Sequence, residues 1–264
     1  MKFLIQRNLM NENSLQLVKN AVKDLPHEYI ELVPFSRNII PNPIGKDYIP
    51  YGSTLMTTLG LDYGWNGLSF DLTKFNYEEC LLNRTDMLNN GIITIDNLIK
   101  YLDSGTPEST KFKINNHFIR PSEDLKQFSG QVMNGRAILD FLKDAIECTS
   151  SGSYQLSGDT KILIGIPKDI QAEWRWFVVD GKVISGSMYR FEGQLHKSRE
   201  LDIDVIEEAQ SFADKWLPSP NCVMDLALVN DEIKVIEFNC INASGFYDHD
   251  VNAIFKALWK YYEN

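Results

Sequence analysis

The chain has 264 residues, of which 44% are hydrophobic and 23% are charged, as is typical of a globular protein with a buried core. Its formal net charge of −10 argues against a general nucleic-acid-binding protein, because such proteins usually have a basic balance. No stretch approaches the roughly 20 apolar residues of a membrane-spanning helix. We therefore expect a cytoplasmic protein that has no membrane partner and for which nucleic acid is not the expected partner.

The first third of the chain alternates between strand and helix patterns, which indicates an N-terminal α/β unit. In chain order, the predicted segments are a strand at 3–6, a helix at 14–25, a strand at 29–35, a loop rich in Pro and Gly at 37–52, a helix at 53–61 and an amphipathic helix at 94–102. The polar stretch DSGTPESTK follows and is the predicted domain boundary. We therefore predict an N-terminal domain at 1–108 and a second domain at 109–264.

The remainder of the chain mixes hairpins with helices, which indicates an α+β domain. The predicted segments are a strand at 117–121, a helix at 135–148, a strand at 161–167, a hairpin at 171–190 turning at Asp180-Gly181, a helix at 204–217, a hairpin at 222–239 turning at Asn230-Asp231 and a helix at 251–262. Neither GxGxxG nor GxxxxGK[ST] occurs, so neither a Rossmann site nor a P-loop is predicted.

The four cysteines, Cys80, Cys148, Cys222 and Cys240, show no CxxC spacing. In a chain of this length they indicate a reducing compartment and no disulfide framework. Cys222 and Cys240 lie in apolar strand-like runs, which favours buried structural thiols over a catalytic cysteine. The four histidines lack HExxH or HxH spacing, so no zinc site is predicted.

The C-terminal hairpin carries three oxygen-bearing side chains. Asp225 lies on its first strand, while Glu237 and Asn239 lie two residues apart on its second strand and therefore share a face. Two carboxylates and an amide oxygen are hard ligands of the kind that Mg²⁺ takes. The alternative is a strand edge whose polar residues face solvent.

Two other stretches place cations where a phosphate could bind. In HFIRPSEDLKQFSG, Arg120 ends a strand and Lys126 follows in a loop, so the pair could close over a polyphosphate. In the hairpin QAEWRWFVVDGKVISGSMYR, Glu173 and Arg175 share a face and Arg190 is available across the turn. The alternatives are a solvated surface loop for the first stretch and a salt-bridged outer face for the second.

Together with VMDLALVNDEIKVIEFNCINASG, these two stretches resemble the ATP-grasp superfamily over roughly residues 115 to 250. They look most like a phage- and bacteria-associated clade in which an Arg occupies a strand position more usually held by Lys. The resemblance implies an ATP-grasp fold, in which two α+β subdomains grip ATP, preceded by a small pre-ATP-grasp domain.

The resemblance also implies roles for individual residues. Arg120 and Lys126 would contact the ATP phosphates, the strand with Ile164 and Ile166 would meet the adenine, and Glu173 would lie near the ribose. The other implied roles are γ-phosphate or acyl-phosphate contacts by Arg175 and Arg190, which with Arg120 form the catalytic set, Mg²⁺ binding by Asp225, Glu237 and Asn239, and a mobile flap at 149–159. The earlier nucleotide-binding Lys has only Lys111 and Lys113 as candidates.

Substrate contacts are predicted at two places. The segment INASGFYDHD resembles the family segment that follows the metal ligands, which implies contacts by Asn242, Ser244 and Tyr247. Ser53 begins a predicted helix, whose N-terminal N–H groups could bind a substrate carboxylate, or the segment could be a plain turn and cap.

The resemblance thus implies an enzyme that uses ATP and Mg²⁺ to join a carboxylate to an amine through an acyl-phosphate. We expect the substrate to be a small molecule, such as an amino acid, or a peptide. Two other functions share the same nucleotide residues: a regulatory or host-modifying protein that binds nucleotide without ligation, and a small-molecule kinase. The oligomeric state is not predicted.

Overall fold

The computed structural model describes residues 1–8, 11–34, 36–123, 127–149 and 156–263. The strands are β1 (Lys2–Gln6), β2 (His27–Leu32), β3 (Ile39–Ile40), β4 (Tyr48–Tyr51), β5 (Gly91–Thr94), β6 (Asn116–Pro121), β7 (Gln131–Asn134), β8 (Lys161–Gly165), β9 (Ala172–Val179), β10 (Lys182–Phe191), β11 (Gln194–Ser198), β12 (Cys222–Val229) and β13 (Glu232–Asn239). The helices are α1 (Glu12–Val22), α2 (Thr54–Tyr63), α3 (Tyr77–Asn83), α4 (Ile95–Asp103), α5 (Pro107–Ile114), α6 (Gly135–Thr149), α7 (Ile203–Lys215) and α8 (Val251–Glu263), with a short 3-10 helix at Ile241–Ala243.

The first compact unit combines the two ends of the chain, Met1–Asp71 and Ile170–Asn264. It contains a four-stranded sheet in the order β3-β2-β1-β4, in which β1 pairs in parallel with β2 and β4. It also contains a five-stranded antiparallel sheet in the order β11-β10-β9-β12-β13. Phe3, Phe177 and Phe255 belong to one buried core, which joins both sheets to α1 and α8.

The helix α8 shows why the C-terminus joins this core. Its buried residues Val251, Ile254, Phe255 and Leu258 follow the i, i+3, i+4, i+7 spacing of a helix with one apolar face. Phe255 lies against Phe3 of β1, with ring centroids 4.9 Å apart. The C-terminal helix therefore packs on the first strand of the chain, a contact that links the most distant parts of the sequence.

The second compact unit is Leu72–Asp169. Its four strands form an antiparallel sheet in the order β5-β8-β6-β7. The buried core of this unit brings Ile119 and Ile162 of the sheet together with Leu98 of α4 and Ile138 of α6. The sheet therefore has an apolar face, which these helices bury.

The predicted boundary at 108/109 falls inside α5. Thr106 caps this helix by accepting a hydrogen bond from the Ser109 N–H, and Pro107 occupies its first turn. Thr before Pro is therefore a helix start here, as the preferences at N-cap and N1 would have indicated. The division into domains 1–108 and 109–264 stays a prediction based on composition, and the two compact units group the residues differently.

The predicted α+β class is confirmed by the mixture of helices with parallel and antiparallel strands. Both predicted hairpin turns are present: Asp180-Gly181 joins β9 to β10, and Asn230-Asp231 joins β12 to β13, with positive φ at all four residues. Within the described ranges, no helix is long and apolar enough to cross a membrane.

Candidate functional site

A row of charged side chains crosses the five-stranded sheet of the first unit. Arg175 on β9 lies opposite Asp225 on β12, and Asp225 lies opposite Glu237 on β13. The second of these pairs depends on a β-bulge, because Leu226 faces Val235 while Asp225 faces Glu237. The extra residue in β13 brings Glu237 to the same face of the sheet as Asp225. The structure thus brings together the predicted neighbours Asp225 and Glu237 and, with them, Arg175 of the other hairpin.

Arg175 and Asp225 form a bidentate ion pair. Arg175 Nε donates to Asp225 Oδ1 at 2.9 Å, and Nη2 donates to Oδ2 at 2.7 Å. The side chains are only 12% and 2% exposed, so both charges are withdrawn from water. Asn239 Nδ2 adds a third donor, at 3.3 Å from Asp225 Oδ2. Removing either partner of such a buried pair lowers the stability of the fold, because the other charge is then left buried without a counter-charge.

The pKa values of this pair follow from burial and from their neighbours. Burial raises the pKa of the Asp225 carboxyl, an effect that the Arg175 guanidinium opposes and the Glu237 carboxylate reinforces. Burial alone would lower the pKa of Arg175, but the Asp225 carboxylate and its hydrogen bonds raise it by more. Arg175 therefore stays positively charged.

A second ion pair adjoins the first. Glu173 accepts hydrogen bonds from the Tyr189 hydroxyl, at 2.6 Å to Oε2, and from Arg190 Nη1, at 3.2 Å to Oε1. Glu173 faces Arg190 in the register, and the bulge between Met188 and Arg190 makes Tyr189 the extra residue of β10. Burial, with the Asp225 and Glu173 carboxylates, raises the pKa of the Tyr189 hydroxyl above its ordinary value, so it remains a donor.

Two tyrosine rings lie against Arg175. Tyr189 and Tyr247 stack with ring centroids 4.8 Å apart, and the Arg175 guanidinium carbon lies 5.9 Å and 5.0 Å from their respective centroids. Tyr247 has a φ of +43°, in the left-handed region that costs a residue with a side chain about 1 kcal/mol or more. Sequence analysis missed Tyr189, because simple alternation along β10 cannot place both Tyr189 and Arg190 beside Glu173.

Asn242, a predicted substrate contact, lies in the interior of the first unit. Its Oδ1 accepts from the Ser69 N–H at 3.0 Å, and its Nδ2 donates to the carbonyls of Pro50 at 2.7 Å and Gly67 at 3.3 Å. The amide is therefore engaged on both ends by backbone from the N-terminal part of the chain. We interpret Asn242 as a structural link and do not include it in the substrate proposal.

Two predicted substrate serines also have protein partners. Ser244 Oγ donates to the Cys240 carbonyl at 2.8 Å, while the Ser244 carbonyl accepts from the Tyr51 hydroxyl at 2.7 Å. Ser53 lies before α2 and bonds to Gln6 Oε1 through both its N–H and its hydroxyl, at 2.9 Å and 2.8 Å. These bonds give both serines a structural role, and the predicted substrate contact whose ring lies against Arg175 is Tyr247.

The nucleotide residues predicted in the second unit are placed as follows. Arg120 lies on β6 with its guanidinium carbon 5.1 Å from the centroid of the Tyr77 ring. Ile164 lies on β8 opposite Ile119, and Ile166 follows the strand with 71% of its surface exposed. The structure does not describe Lys126 or residues 150–155 of the predicted flap. The candidates for the earlier nucleotide-binding Lys, Lys111 and Lys113, lie in the last turn of α5.

His249 carries a pH-dependent part of the stability. It is buried, its Nδ1 lies 3.0 Å from Ser185 Oγ, and its pKa falls to about 3 because of burial and the positive charges of Arg175 and Arg199, which Asp248 only partly offsets. Below about pH 6.5 the unfolded chain binds a proton at this ring and the folded chain does not. The free energy of unfolding therefore decreases as the pH is lowered from about 6.5 to about 3.

We therefore expect the protonation of this histidine in the unfolded chain to lower the free energy of unfolding by about 2 kcal/mol when the pH is lowered from 7 to 5. Urea denaturation of the wild-type protein and of His249→Gln at both pH values measures this change in the free energy of unfolding. The variant should be less stable than wild type at pH 7, and the difference should shrink or reverse at pH 5. An equal difference at the two pH values would show that His249 does not titrate in this way.

The sequence matches the ATP-grasp domain, R2K clade family 3, over residues 82–259, which is more than half of the chain. The chain belongs to this family. A comparison with curated protein sequences finds no match.

Solved structures show the same fold. A RimK domain ATP-grasp protein from Sphaerobacter thermophilus superposes with a TM-score of 0.60 at 10% identity, over 98% of this chain and 99% of that chain. D-alanine–D-alanine ligase from Bacillus anthracis gives 0.60 at 8% identity, over 99% and 96%. D-cycloserine synthetase DcsG gives 0.60 at 10% identity, over 99% and 100%. The predicted ATP-grasp fold is confirmed.

Proposed function

We propose that this protein is a ligase that uses ATP and Mg²⁺ to join the carboxylate of a small molecule or peptide to an amine through an acyl-phosphate. The observation that carries the proposal is the row Arg175, Asp225 and Glu237 on one face of the sheet, in a chain of the ATP-grasp family. Two proteins of the same fold are named as D-alanine–D-alanine ligase and D-cycloserine synthetase, which supports a ligase over other uses of the fold.

Mg²⁺ fits the donor chemistry of this row. Asp225 and Glu237 are carboxylates on facing positions, and Asn239 lies two residues along the same strand with its amide group 3.3 Å from Asp225. No group of three His, Cys, Asp or Glu side chains within the described residues is arranged to hold a metal, so the third protein ligand must be an amide or the remaining ligands must be water and phosphate. Such a small protein contribution is usual for Mg²⁺, which when bound would neutralise phosphate charge.

For the nucleotide contacts we keep the residues that the family resemblance implies. In the first unit we assign Arg175 and Arg190 to the transferring phosphate, because both are cations beside the carboxylate row. In the second unit we keep Arg120 and Lys126 for the phosphates and the backbone around Ile164 and Ile166 for the adenine.

Glu173 changes its proposed role. Its two carboxylate oxygens accept from Tyr189 and Arg190, so it orients those two side chains. This arrangement favours Glu173 as a positioning residue for Arg190 over a direct contact with the ribose. Tyr247, beside Arg175 and 37% exposed, is the predicted substrate contact that we retain.

The proposed reaction needs positioning and charge neutralisation from the protein more than it needs a covalent catalyst. A carboxylate oxygen of the substrate attacks the γ-phosphorus, the bond to the leaving ADP oxygen breaks, and an acyl-phosphate forms. The neutral amine then attacks the acyl carbon and forms the C–N bond. Inorganic phosphate leaves with the electron pair of the broken C–O bond, and the proton lost by the nitrogen passes to that phosphate. Arg175 and Arg190 would stabilise the negative charge on the transferring group, which is the main protein contribution in reactions of this kind.

Isothermal titration with a non-hydrolysable ATP analogue in the presence of Mg²⁺ tests the nucleotide and metal part of the proposal. We expect saturable binding that weakens at least tenfold when Mg²⁺ is replaced by EDTA, because the metal neutralises the phosphates beside Asp225 and Glu237. Binding of equal strength with and without Mg²⁺ would contradict the assignment of the carboxylate row. No binding at all would remove the ligase proposal.

A further inference from the structure

The Asp225 carboxylate would be needed both by its present hydrogen-bond donors and by a bound metal ion. Its Oδ2 already accepts from Arg175 Nη2 and Asn239 Nδ2, and its Oδ1 accepts from Arg175 Nε. A Mg²⁺ ion at the row Asp225 and Glu237 would need these same oxygens. It would also lie next to the Arg175 guanidinium, and two cations in contact in a site this buried repel one another strongly.

We propose that Arg175 is the resident counter-cation of the metal site and exchanges partners during loading. It holds Asp225 until a nucleotide phosphate offers it another anion, and Asp225 then becomes available to the metal. This inference rests on the proposed function and concerns the order in which its site is assembled. It predicts that the protein alone binds a divalent cation weakly and that nucleotide and cation bind cooperatively.

The surroundings of Arg175 suit a side chain that changes partner. The stacked rings of Tyr189 and Tyr247 provide an aromatic surface beside the guanidinium, and cation–π attraction does not require one fixed hydrogen-bond geometry. Tyr189 is itself anchored by its 2.6 Å hydrogen bond to Glu173. The remaining polar contact of Arg175, from Nη1 to the Gly245 carbonyl, is long at 3.4 Å. The guanidinium is therefore supported from the side while Asp225 is its principal anionic partner.

The charges give the exchange its driving force. Glu237 lies opposite Asp225 on the neighbouring strand, so two carboxylates face each other at this position. Arg175 is the cation in direct contact with Asp225. If Arg175 is removed, the buried Asp225 carboxylate loses the cation in contact with it while it still faces Glu237, so it favours a new cation, and a divalent metal supplies it.

Direct binding of Mn²⁺, used as a paramagnetic substitute for Mg²⁺, tests the proposal without reference to activity. Free Mn²⁺ is counted by electron paramagnetic resonance in titrations of the wild-type protein, Arg175→Met and Arg199→Met, all without nucleotide. We expect Arg175→Met to bind Mn²⁺ at least tenfold more tightly than wild type. Arg199→Met is the matched control, since Arg199 pairs with the exposed Asp248, and it should bind as wild type does.

Two further variants fix the site and guard against loss of folding. Adding Glu237→Gln to Arg175→Met should abolish the gained affinity, which places the cation at the carboxylate row. Arg175→Lys keeps a positive charge but loses the bidentate geometry, so it should show a smaller gain and serves as the test if Arg175→Met does not fold.

Each result then has a distinct meaning. Unchanged Mn²⁺ affinity in both Arg175 variants, with Mg²⁺-dependent binding of the ATP analogue intact in the wild-type protein, overturns the exchange and leaves the proposed function standing. A gain equally large in Arg199→Met also overturns it, because a general change of charge would then explain the effect. Absence of Mg²⁺-dependent analogue binding in the wild-type protein overturns both proposals.

Discussion

Asp225→Ala is expected to lower the free energy of unfolding by about 3–5 kcal/mol. The physical reason is the state of Arg175 in the variant: its guanidinium stays charged, and the carboxylate that holds it through two hydrogen bonds is gone. Arg175 is 12% exposed, so water cannot replace the lost partner without a local rearrangement. Urea denaturation at pH 7, monitored by far-UV circular dichroism, gives the unfolding free energy.

The exposed pair Arg199–Asp248 provides the matched control. Its side chains are 58% and 41% exposed, so Asp248→Ala should cost less than about 1 kcal/mol. The double variant Arg175→Met/Asp225→Ala removes both members of the buried pair and should be more stable than Asp225→Ala alone, because no lone charge remains. If Asp225→Ala and Asp248→Ala lowered the free energy of unfolding by the same amount, the buried pair would contribute no more to stability than the exposed pair.

The candidate site could be predicted in part because hairpin turns are local. Asp180-Gly181 and Asn230-Asp231 favour positive φ, and each turn places the two strands that flank it next to one another. From these turns the sequence predicts that Asp225 lies near Glu237 and that Glu173 shares a face with Arg175. Both relations are present in the structure.

What the sequence could not predict is set by bulges and by contacts distant along the chain. Uninterrupted pairing from the turn at 230–231 would place Glu237 opposite Met224, on the other face of the sheet, and only the bulge at Ile236 corrects this. Tyr189 enters the site through a similar bulge. Neither bulge has a glycine or another sequence signal at the inserted residue.

The grouping of elements into compact units shows the same limit at larger scale. Composition marks 103–111 as polar, but Phe3 of β1 packs in one core with Phe255 of α8, and no local pattern contains that contact. The two ends of the chain form one compact unit for this reason. Sequence patterns predict helices and strands where the signal is local. How these helices and strands group into compact units depends on packing between residues that are far apart in the chain.

Glu237→Gln is expected to reduce ATP turnover by at least about 100-fold, the loss of roughly 3 kcal/mol of transition-state stabilisation. Glutamine keeps the size of the side chain and removes its charge, so the variant weakens the hold on Mg²⁺ with little change in packing. ADP release in the presence of mixed amino acids, measured with a coupled assay, gives the rate. Unfolding by urea should show a stability within about 1 kcal/mol of wild type, since Glu237 is only partly buried.

Glu232→Gln is the matched control for this prediction. Glu232 lies on the same strand, is exposed, and pairs with Lys234 at 2.7 Å near the turn, away from Asp225. Its loss changes the net charge by the same amount and should leave turnover within twofold of wild type. If Glu237→Gln releases ADP as fast as the wild-type protein, the turnover does not come from the carboxylate row. A large and equal loss in both variants would instead point to charge alone, because only Glu237 faces Asp225 and its ion pair with Arg175.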